Sequence, residues 1–180
     1  ALAGWAMVAA VSAADDLRSL PNSVRFAVHA AAAVLIVLFV GRWSVVALPL
    51  IGRLTLGFGG ALVAFFWLVG LTNAYNFMDG IDGIAGSQAV VAGLAWTVLG
   101  WATGADQIAV AGLLIAAASA GFLFHNWPPA RIFMGDVGSA FLGLVLATLA
   151  VAGAEVDPRL AVAGVLVVWP FVFDASFTFI

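Results

Sequence analysis

Long apolar runs make up most of this chain, and they restrict it to folds that lie in a membrane. Seven runs occur, over residues 1–14, 24–40, 54–75, 84–102, 107–127, 137–153 and 160–180. The chain is 65% hydrophobic and 8% charged, whereas a soluble domain is usually about a quarter charged. A helix of about 20 apolar residues, at about 1.5 Å per residue, crosses the hydrocarbon core of a bilayer. The sequence therefore predicts an all-α polytopic membrane protein with about seven transmembrane helices.

The chain is interpreted as a single integral membrane domain over residues 1–180. It opens at Ala1 inside one apolar run and stops at Ile180 inside another, so we expect a fragment of a longer protein, truncated at both termini. The segment from Trp43 to Ile51 is too short to span, and we expect it to lie along the surface or to re-enter. Because the chain has no cysteine and no lysine, disulfides, thiolate chemistry, a Schiff-base lysine and a Walker-type lysine are excluded within it.

Counting the crossings predicts that most of the acidic residues meet on one face of the membrane. The second, fourth and sixth runs leave the side of the Asp15–Asp16 pair, and the third, fifth and seventh runs return to it. The returning runs deliver the polar segments 73–82 and 126–136 and the residue Asp174. The six arginines divide evenly between the two faces, so the positive-inside rule does not give the orientation.

A candidate metal site follows from this convergence. The residues that meet are the carboxylates Asp15, Asp16, Asp79, Asp82 and Asp136 and the amides Asn73, Asn76 and Asn126. So many carboxylates at a low-dielectric edge would repel one another unless a cation neutralised them. Their oxygens are hard donors, so Mg²⁺ or Mn²⁺ fits better than zinc. Mg²⁺ usually takes only one or two carboxylates, which leaves other acids for proton transfer, and Arg131 could neutralise phosphate charge.

Each of these residues also has a purely structural interpretation. Asp15–Asp16, Asp79 with Asp82, and Asp136 could each cap a helix. His29 is expected to be a packed histidine, His125 an interfacial one, and the tryptophans interfacial anchors. Asp174 either faces the site or helps to end the last helix. This interpretation does not explain why three separate segments converge.

Two stretches carry a resemblance to a known family. They are Asn-Ala-Tyr-Asn-Phe-Met-Asp-Gly-Ile-Asp-Gly at 73–83 and Asn-Trp-Pro-Pro-Ala-Arg-Ile-Phe-Met-Gly-Asp-Val-Gly-Ser at 126–139. Together with Asp15–Asp16 they resemble, in the same order, the motifs of the polyprenyl-phosphate sugar-1-phosphate transferases. That group, glycosyltransferase family 4, includes undecaprenyl-phosphate N-acetylglucosamine-1-phosphate transferases and phospho-N-acetylmuramoyl-pentapeptide transferases.

The resemblance implies a reaction and a location. A polyprenyl (undecaprenyl) phosphate in the lipid bilayer attacks the β-phosphate of a UDP-N-acetylhexosamine, UMP leaves, and a polyprenyl-diphospho-sugar remains. This is a first membrane step of cell-envelope glycan synthesis, for the cell wall or for lipopolysaccharide O-antigen. The Pro-Pro-Ala-Arg form of the third motif is closer to the N-acetylglucosamine or O-antigen type. The enzyme would be a multi-pass protein of the bacterial inner membrane with its site facing the cytoplasm, without nucleic acid and compatible with a homodimer.

The resemblance also implies roles for individual residues. Asp136 and Asp79 are expected to bind Mg²⁺, and Asp15 and Asp16 to form a catalytic pair that acts as the base or associates with the metal. The expected substrate-binding residues are Asn73, Asn76, Asp79, Asp82, Asn126 and Arg131. The family's histidine-rich loop would follow the seventh run, and further helices would precede Ala1.

Two other classes of function remain as alternatives at this stage. A cation- or proton-coupled transporter would use the carboxylates as ion sites near the middle of the bilayer, on broken helices. In this sequence the acids gather at the ends of the runs, apart from Asp174. A non-catalytic membrane scaffold would leave the convergence of the three segments without a reason.

Overall fold

The computed structural model describes residues 1–178 and confirms an all-α polytopic architecture, to which it adds one short β-hairpin. The last predicted run ends with residues 179–180, which lie outside the described residues. The elements are α1 (Leu2–Arg18), α2 (Asn22–Phe39), β1 (Val45–Leu48), β2 (Gly52–Thr55), α3 (Gly59–Met78), α4 (Ile84–Thr103), α5 (Asp106–Asn126), α6 (Gly135–Val156), α7 (Arg159–Val167) and α8 (Trp169–Thr178).

Five helices, α2 to α6, are long and apolar enough to cross a membrane. Helices α7 and α8 would together make a sixth span, but they are bent by 62° to one another. Pro170 accounts for the break, because proline has no N–H with which to continue the hydrogen bonding of α7. Helix α1, with 17 residues from Leu2, is not among these candidate spans. The described residues thus hold five or six candidate spans where about seven were predicted.

Helices α1 and α3 reach further into the polar segments than the apolar runs indicate. Helix α1 continues through Asp15 and Asp16 to Arg18. Helix α3 likewise includes Asn73 and Asn76. An α-helix keeps its geometry in a polar terminal turn, so the end of an apolar run does not mark the end of a helix. Most of the predicted loop residues therefore stand on helix ends, where the backbone holds them in place.

The segment from Trp43 to Ile51 belongs to the hairpin. Strands β1 and β2 are antiparallel, with Val45 opposite Thr55 and Leu48 opposite Gly52. Each strand has four residues, so the hairpin is too short to cross and leaves the crossing count unchanged. Because β2 uses residues 52–55, helix α3 begins at Gly59 rather than near residue 54.

Helix α6 is the centre of the bundle, and three tryptophans donate hydrogen bonds to a single turn of it. The indole Nε1 of Trp5 donates to Thr148 Oγ1 at 3.1 Å. The indoles of Trp43 and Trp67 donate to the carbonyl oxygens of Ala150 and Ala147, at 3.2 and 3.1 Å. Indole N–H groups inside a bundle usually find an acceptor, and α6 supplies one to each of these three, from Thr148 Oγ1 or from its backbone. The prediction that the tryptophans are interfacial anchors is wrong for Trp43 and Trp96, which are buried inside the bundle.

Helices α4 and α5 form a close antiparallel pair along a seam of small residues. A Cβ added at Gly93 of α4 would lie 2.6 Å from the carbonyl oxygen of Gly112 and from the amide nitrogen of Ala116. A Cβ at Gly112 of α5 would lie 2.6 Å from the carbonyl oxygen of Gly93 in turn. Such spacing lets two backbones touch, as is common between helices in membranes.

The seam predicts opposite effects of one substitution at two positions of α5. Gly112→Ala forces a methyl group against backbone atoms of α4, and we expect it to destabilise the protein by about 1–3 kcal/mol. Gly121→Ala is the matched control, because a Cβ there meets nothing within 4 Å. Its better helix propensity should stabilise the protein by about 0.5–1 kcal/mol. Thermal unfolding midpoints in detergent give the two signs, and equal shifts would refute the seam.

Candidate active site

The ends of four helices meet at one place and carry most of the predicted site residues. Helix α1 ends there with Asp15 and Asp16, and helix α2 begins there. Helix α3 ends there with Asn76, next to Asp79. Helix α6 begins there, with Asp136 in its first turn. Segments that are far apart in sequence are thus brought together by termini of helices rather than by flexible loops.

Arg25, in the first turns of α2, ties three of these helix ends together. Its guanidinium contacts Asp15 Oδ2 at 2.8 Å and Asp136 Oδ2 at 2.7 Å. It also donates to Asn76 Oδ1 at 3.1 Å. The Asp15 side chain is only 9% exposed, so the ion pair lies in a partly desolvated environment where charge interactions are strong.

Asp16 contacts the start of α6 directly. Its Oδ1 accepts the backbone N–H of Asp136 at 2.9 Å, and its Oδ2 accepts that of Val137 at 3.1 Å. Asn76 contacts the same helix one turn later, since its Nδ2 donates to Ser139 Oγ at 2.9 Å. Helix α6 is therefore held at its N terminus by one side chain from α1 and another from α3.

The two loops beside these helix ends are joined by Asp82 and Asn126. Asp82 Oδ2 accepts the backbone N–H of Ala130 at 2.9 Å. Asn126 is buried, accepts the N–H of Gly83 at 2.9 Å and donates to the carbonyl oxygen of Ile132 at 2.8 Å. Both loops are thus fixed against each other, and they form one wall of a cavity.

That cavity, which we call the polar cavity, has a volume of about 240 Å³. It is lined by Asn76, Asp79, Gly80, Ile81, Asp82, Asn126, Phe133, Met134, Gly135, Asp136 and Ser139. Five of the predicted site residues are in this wall. Asp15 and Asp16 stand behind it and act on it through Arg25 and the backbone of α6.

The structure does not bring all the predicted residues to the polar cavity. Asn73 lies on the wall of a second cavity of about 390 Å³ between α3 and α8, and its Oδ1 is 3.3 Å from His29 Nδ1. Arg131 is exposed on the loop before α6 and is not part of the polar wall. Asp174 is exposed on α8, at a third cavity that also includes Asp82.

Asp79 has an unusual protonation equilibrium. Burial of its half-buried carboxyl group raises its pKa to about 6, and the nearby Asp136 carboxylate adds to the rise. Near pH 6 the group therefore exchanges its proton readily. A cation in the cavity would offset both causes of this rise, because it favours the ionised form of Asp79.

The donors of the polar cavity suit Mg²⁺. Among residues 1–178, no three acidic, histidine or cysteine side chains are grouped so as to hold a metal by themselves. Mg²⁺ does not need such a group, since it usually binds through one or two carboxylates and completes its shell with water and phosphate oxygens. Asp79 and Asp136 supply two carboxylates, and Asn76 adds an amide oxygen. All of these are hard oxygen donors, so the residues present fit this ion.

Two residues of the site were missed by the sequence interpretation. Arg25 was counted only as one of the six arginines, and Ser139 was only the last residue of the 126–139 stretch. A single arginine one turn inside an apolar helix was a usable signal, because such a charge is costly unless it has partners. The contact of Ser139 with Asn76 depends on tertiary packing, so the sequence pattern could not predict it.

Comparison with known proteins gives the site a context. The model of glycosyl transferase family 4 matches residues 1–154. The probable undecaprenyl-phosphate N-acetylglucosaminyl 1-phosphate transferase of Bacillus subtilis (strain 168) is 33% identical over 169 residues, which are 92% of this chain and 47% of the relative. The phospho-N-acetylmuramoyl-pentapeptide-transferase of Latilactobacillus sakei subsp. sakei (strain 23K) is 40% identical over 104 residues, 58% of this chain and 32% of the relative.

A third relative agrees with these two. The phospho-N-acetylmuramoyl-pentapeptide-transferase of Geobacillus sp. (strain WCH70) is 44% identical over 98 residues, 54% of this chain and 30% of the relative. The chain thus spans between 30% and 47% of the length of these three relatives. Neither the family match nor the relatives support the transporter alternative.

The contacts of Arg25 predict a stability loss on its removal. Arg25→Gln leaves Asp15 and Asp136 without their cation, and we expect a loss of about 1–3 kcal/mol, reduced from that of a fully buried pair by partial exposure. Arg18→Gln is the control, since Arg18 is exposed and forms no ion pair with any of the described residues. It should change stability by less than about 0.5 kcal/mol. If thermal unfolding shows equal shifts for both variants, the role of Arg25 as a tie is wrong.

The raised pKa of Asp79 predicts a pH dependence of stability. Between pH 3.8 and about 6 the folded protein keeps a proton on Asp79 that the unfolded chain releases. Stability should therefore fall as pH rises through this window, by about 1 kcal/mol after allowance for partial exposure. In Asp79→Asn this slope should disappear, whereas Asp106→Asn should keep it. Metal-free thermal unfolding between pH 4 and 8 measures it, and parallel curves for wild type and Asp79→Asn would contradict the assignment.

Proposed function

The chain belongs to glycosyl transferase family 4, and on that premise we propose that the whole protein transfers a sugar 1-phosphate from a UDP-N-acetylhexosamine to undecaprenyl phosphate. The products are a polyprenyl-diphospho-sugar and UMP. The Bacillus subtilis relative supports the lipid phosphate acceptor, because its name includes undecaprenyl phosphate. The name of the Latilactobacillus sakei relative supports transfer of a phospho-sugar. We place the reaction in the synthesis of a bacterial cell-envelope glycan.

The observation that carries the proposal is the position of two unlike cavities on one helix. The polar cavity includes Asn76 of α3. The apolar cavity, which lies between α3 and α8, is lined by Phe66, Trp67, Gly70, Leu71, Asn73, Ala74, Phe77, Val172, Ala175 and Ser176. Asn73 and Asn76 are one turn apart, so a hydrocarbon chain in the apolar cavity would bring a phosphate at its end close to the polar cavity.

The two cavities match the two substrates. A polyprenyl chain is apolar and is held by burial of its surface. A nucleotide diphosphate is anionic and hydrogen-bonding, and the polar wall offers amides, acids and the exposed aromatic ring of Phe133 for stacking against a base. We assign Asn76, Asp82 and Asn126 to the nucleotide-sugar, and Asn73 to the lipid side. Arg131, on the neighbouring loop, would neutralise phosphate charge only if that loop moved toward the cavity.

We assign Mg²⁺, with Mn²⁺ as a substitute, to Asp136 and Asp79. When bound, the ion neutralises diphosphate charge and stabilises the charge that develops on transfer. The residues of the chain then have defined tasks. Arg25 holds the carboxylate of Asp136 in place, and Asn76 contacts both Arg25 and Ser139. Phosphoryl transfer depends mostly on such positioning and charge neutralisation.

A strong base is not required for this reaction. The second pKa of a phosphate monoester is about 6, so the lipid phosphate is largely ionised at neutral pH. Asp15 is one of the two adjacent acids, Asp15 and Asp16, that were expected to act in catalysis. Its carboxylate pairs with Arg25 and accepts the backbone N–H of Leu20. The pair therefore has its main effect on the arrangement of the site.

We place the protein in the bacterial inner membrane as a multi-pass protein whose polar cavity opens to the cytoplasm, where nucleotide-sugars are made. The transporter alternative is set aside, because the carboxylates stand at helix ends rather than in the middle of spans. The six arginines divide evenly between the faces, so the orientation rests on the proposed donor.

An assay of UMP release tests this function directly. Full-length protein is given undecaprenyl phosphate and a panel of UDP-sugars, with and without Mg²⁺. We expect Mg²⁺-dependent release with at least one UDP-N-acetylhexosamine. Asp136→Asn should reduce the rate by at least about 100-fold, since loss of a metal ligand removes the charge neutralisation. Asp106→Asn, at the start of α5, is the control and should keep the rate. Release with no sugar, or a wild-type rate in Asp136→Asn, would overturn the proposal.

A further inference from the structure

We propose that Asp16 is a positioning residue and not a proton acceptor: its carboxylate caps helix α6 from another helix and fixes where Asp136 stands. The consequence for catalysis rests on the proposed function, whereas the cap itself does not. The sequence interpretation left the roles of Asp15 and Asp16 unseparated, and the contacts of the two residues separate them.

Both oxygens of Asp16 are used by the backbone of α6. Oδ1 accepts the N–H of Asp136 at 2.9 Å and Oδ2 accepts that of Val137 at 3.1 Å, across 120 and 121 residues of sequence. The first N–H groups of any helix lack partners within the helix. Helix α6 receives no capping hydrogen bond from the residue at its own N-cap, Met134. Asp16 fills that place from the last turn of α1.

Gly135 makes room for this cap. Its φ is +66°, a left-handed conformation that strongly favours glycine. A Cβ at this position would lie 2.8 Å from Asp16 Oδ2. Any larger residue would therefore have to displace the carboxylate or change the backbone just before Asp136. This explains the adjacent Gly135 and Asp136 in the 126–139 stretch. Asp16 lies close against Gly135, and Asp136 forms the ion pair with Arg25.

The cap gives Asp136 a fixed backbone as well as a fixed side chain. The negative charge of Asp16 also lies at the positive end of the α6 macrodipole, where it is favourable. A proton on Asp16 would remove the negative charge that strengthens both hydrogen bonds and favours the helix end, so proton uptake during turnover would weaken the cap. Asp15 makes neither contact and pairs instead with Arg25, so adjacent acids have separate tasks.

The decisive experiment measures hydrogen–deuterium exchange in metal-free full-length protein. The variants are Asp16→Asn, Gly135→Ala and the double variant. The control for the glycine is Gly104→Ala, because Gly104 has a similar φ of +71° but a Cβ there meets nothing within 4 Å. We expect each single variant to speed exchange of the Asp136 and Val137 amides by about 10-fold, and the double variant to add little, since both changes break the same contact. Gly104→Ala should leave these amides unchanged.

A second readout separates positioning from proton transfer. In the UMP-release assay, Asp16→Asn should raise the Mg²⁺ concentration for half-maximal rate by about 10-fold, as loss of supporting contacts commonly does. The acidic limb of the pH–rate profile should stay where it is, and Gly135→Ala should behave in the same way.

The outcomes distinguish this proposal from the proposed function. Unchanged exchange in both Asp16→Asn and Gly135→Ala would overturn the cap, whatever the assay shows. Loss of the acidic limb in Asp16→Asn, with a normal Mg²⁺ requirement, would make Asp16 a base. If the wild type releases no UMP, the transferase fails, but the exchange measurement still decides the cap. If Asp16→Asn does not fold, Gly135→Ala compared with Gly104→Ala gives the same decision.

Discussion

The ion pairs of Arg25 are the interaction on which the rest of the site depends. Asp15, Asp79 and Asp136 bring three carboxyl groups from three different helix ends into a partly desolvated place. Without a cation such a group of acids would separate or take up protons. One guanidinium contacts two of the carboxylates and an amide at once, because its donors are arranged in a planar fork. The third acid, Asp79, is left with a raised pKa instead. One arginine therefore keeps the helix ends together yet leaves negative charge in the cavity for a further cation.

Helix α6 transmits this arrangement to the rest of the fold. Its first turn is held by Asp16 and Arg25, and about three to four turns later its backbone accepts indole N–H groups from Trp43 and Trp67. Helices α1, α2 and α3 are thereby joined to α6 by hydrogen bonds or ion pairs. A helix fixed at its start and in its middle has little freedom to rotate or slide. The carboxylate of Asp136 is therefore placed by the whole bundle, which suits chemistry that depends on position.

The sequence predicted the meeting of the acids but not the way in which they meet. Counting crossings placed Asp79 and Asp136 on one face, because chain reversal depends only on the number of spans. It could not show that Arg25 would serve two carboxylates, since that depends on the rotation of α2 about its axis. The burial of Trp43 and Trp96 was missed for a similar reason. A tryptophan at the end of an apolar run looks the same in the sequence whether its indole lies at the membrane interface or donates to a carbonyl inside the bundle. The bend at Pro170 and the hairpin at 45–55 were local features that the apolar pattern concealed.

The position of the acids at helix ends has a physical cause that also limits the function. An ionised carboxylate in the middle of a span costs several kcal/mol unless it is paired, whereas at a helix end it can reach water or backbone N–H groups. Asp16 uses the N–H groups of α6, and Asp82 uses that of Ala130. A site built in this way is confined to the edge of the hydrocarbon. Only a substrate that carries its own apolar anchor would meet a water-soluble anion there, and the apolar cavity beside Asn73 provides a place for that anchor. The placement of charge that keeps the fold stable in a membrane is thus also the one that suits the lipid-borne substrate we propose.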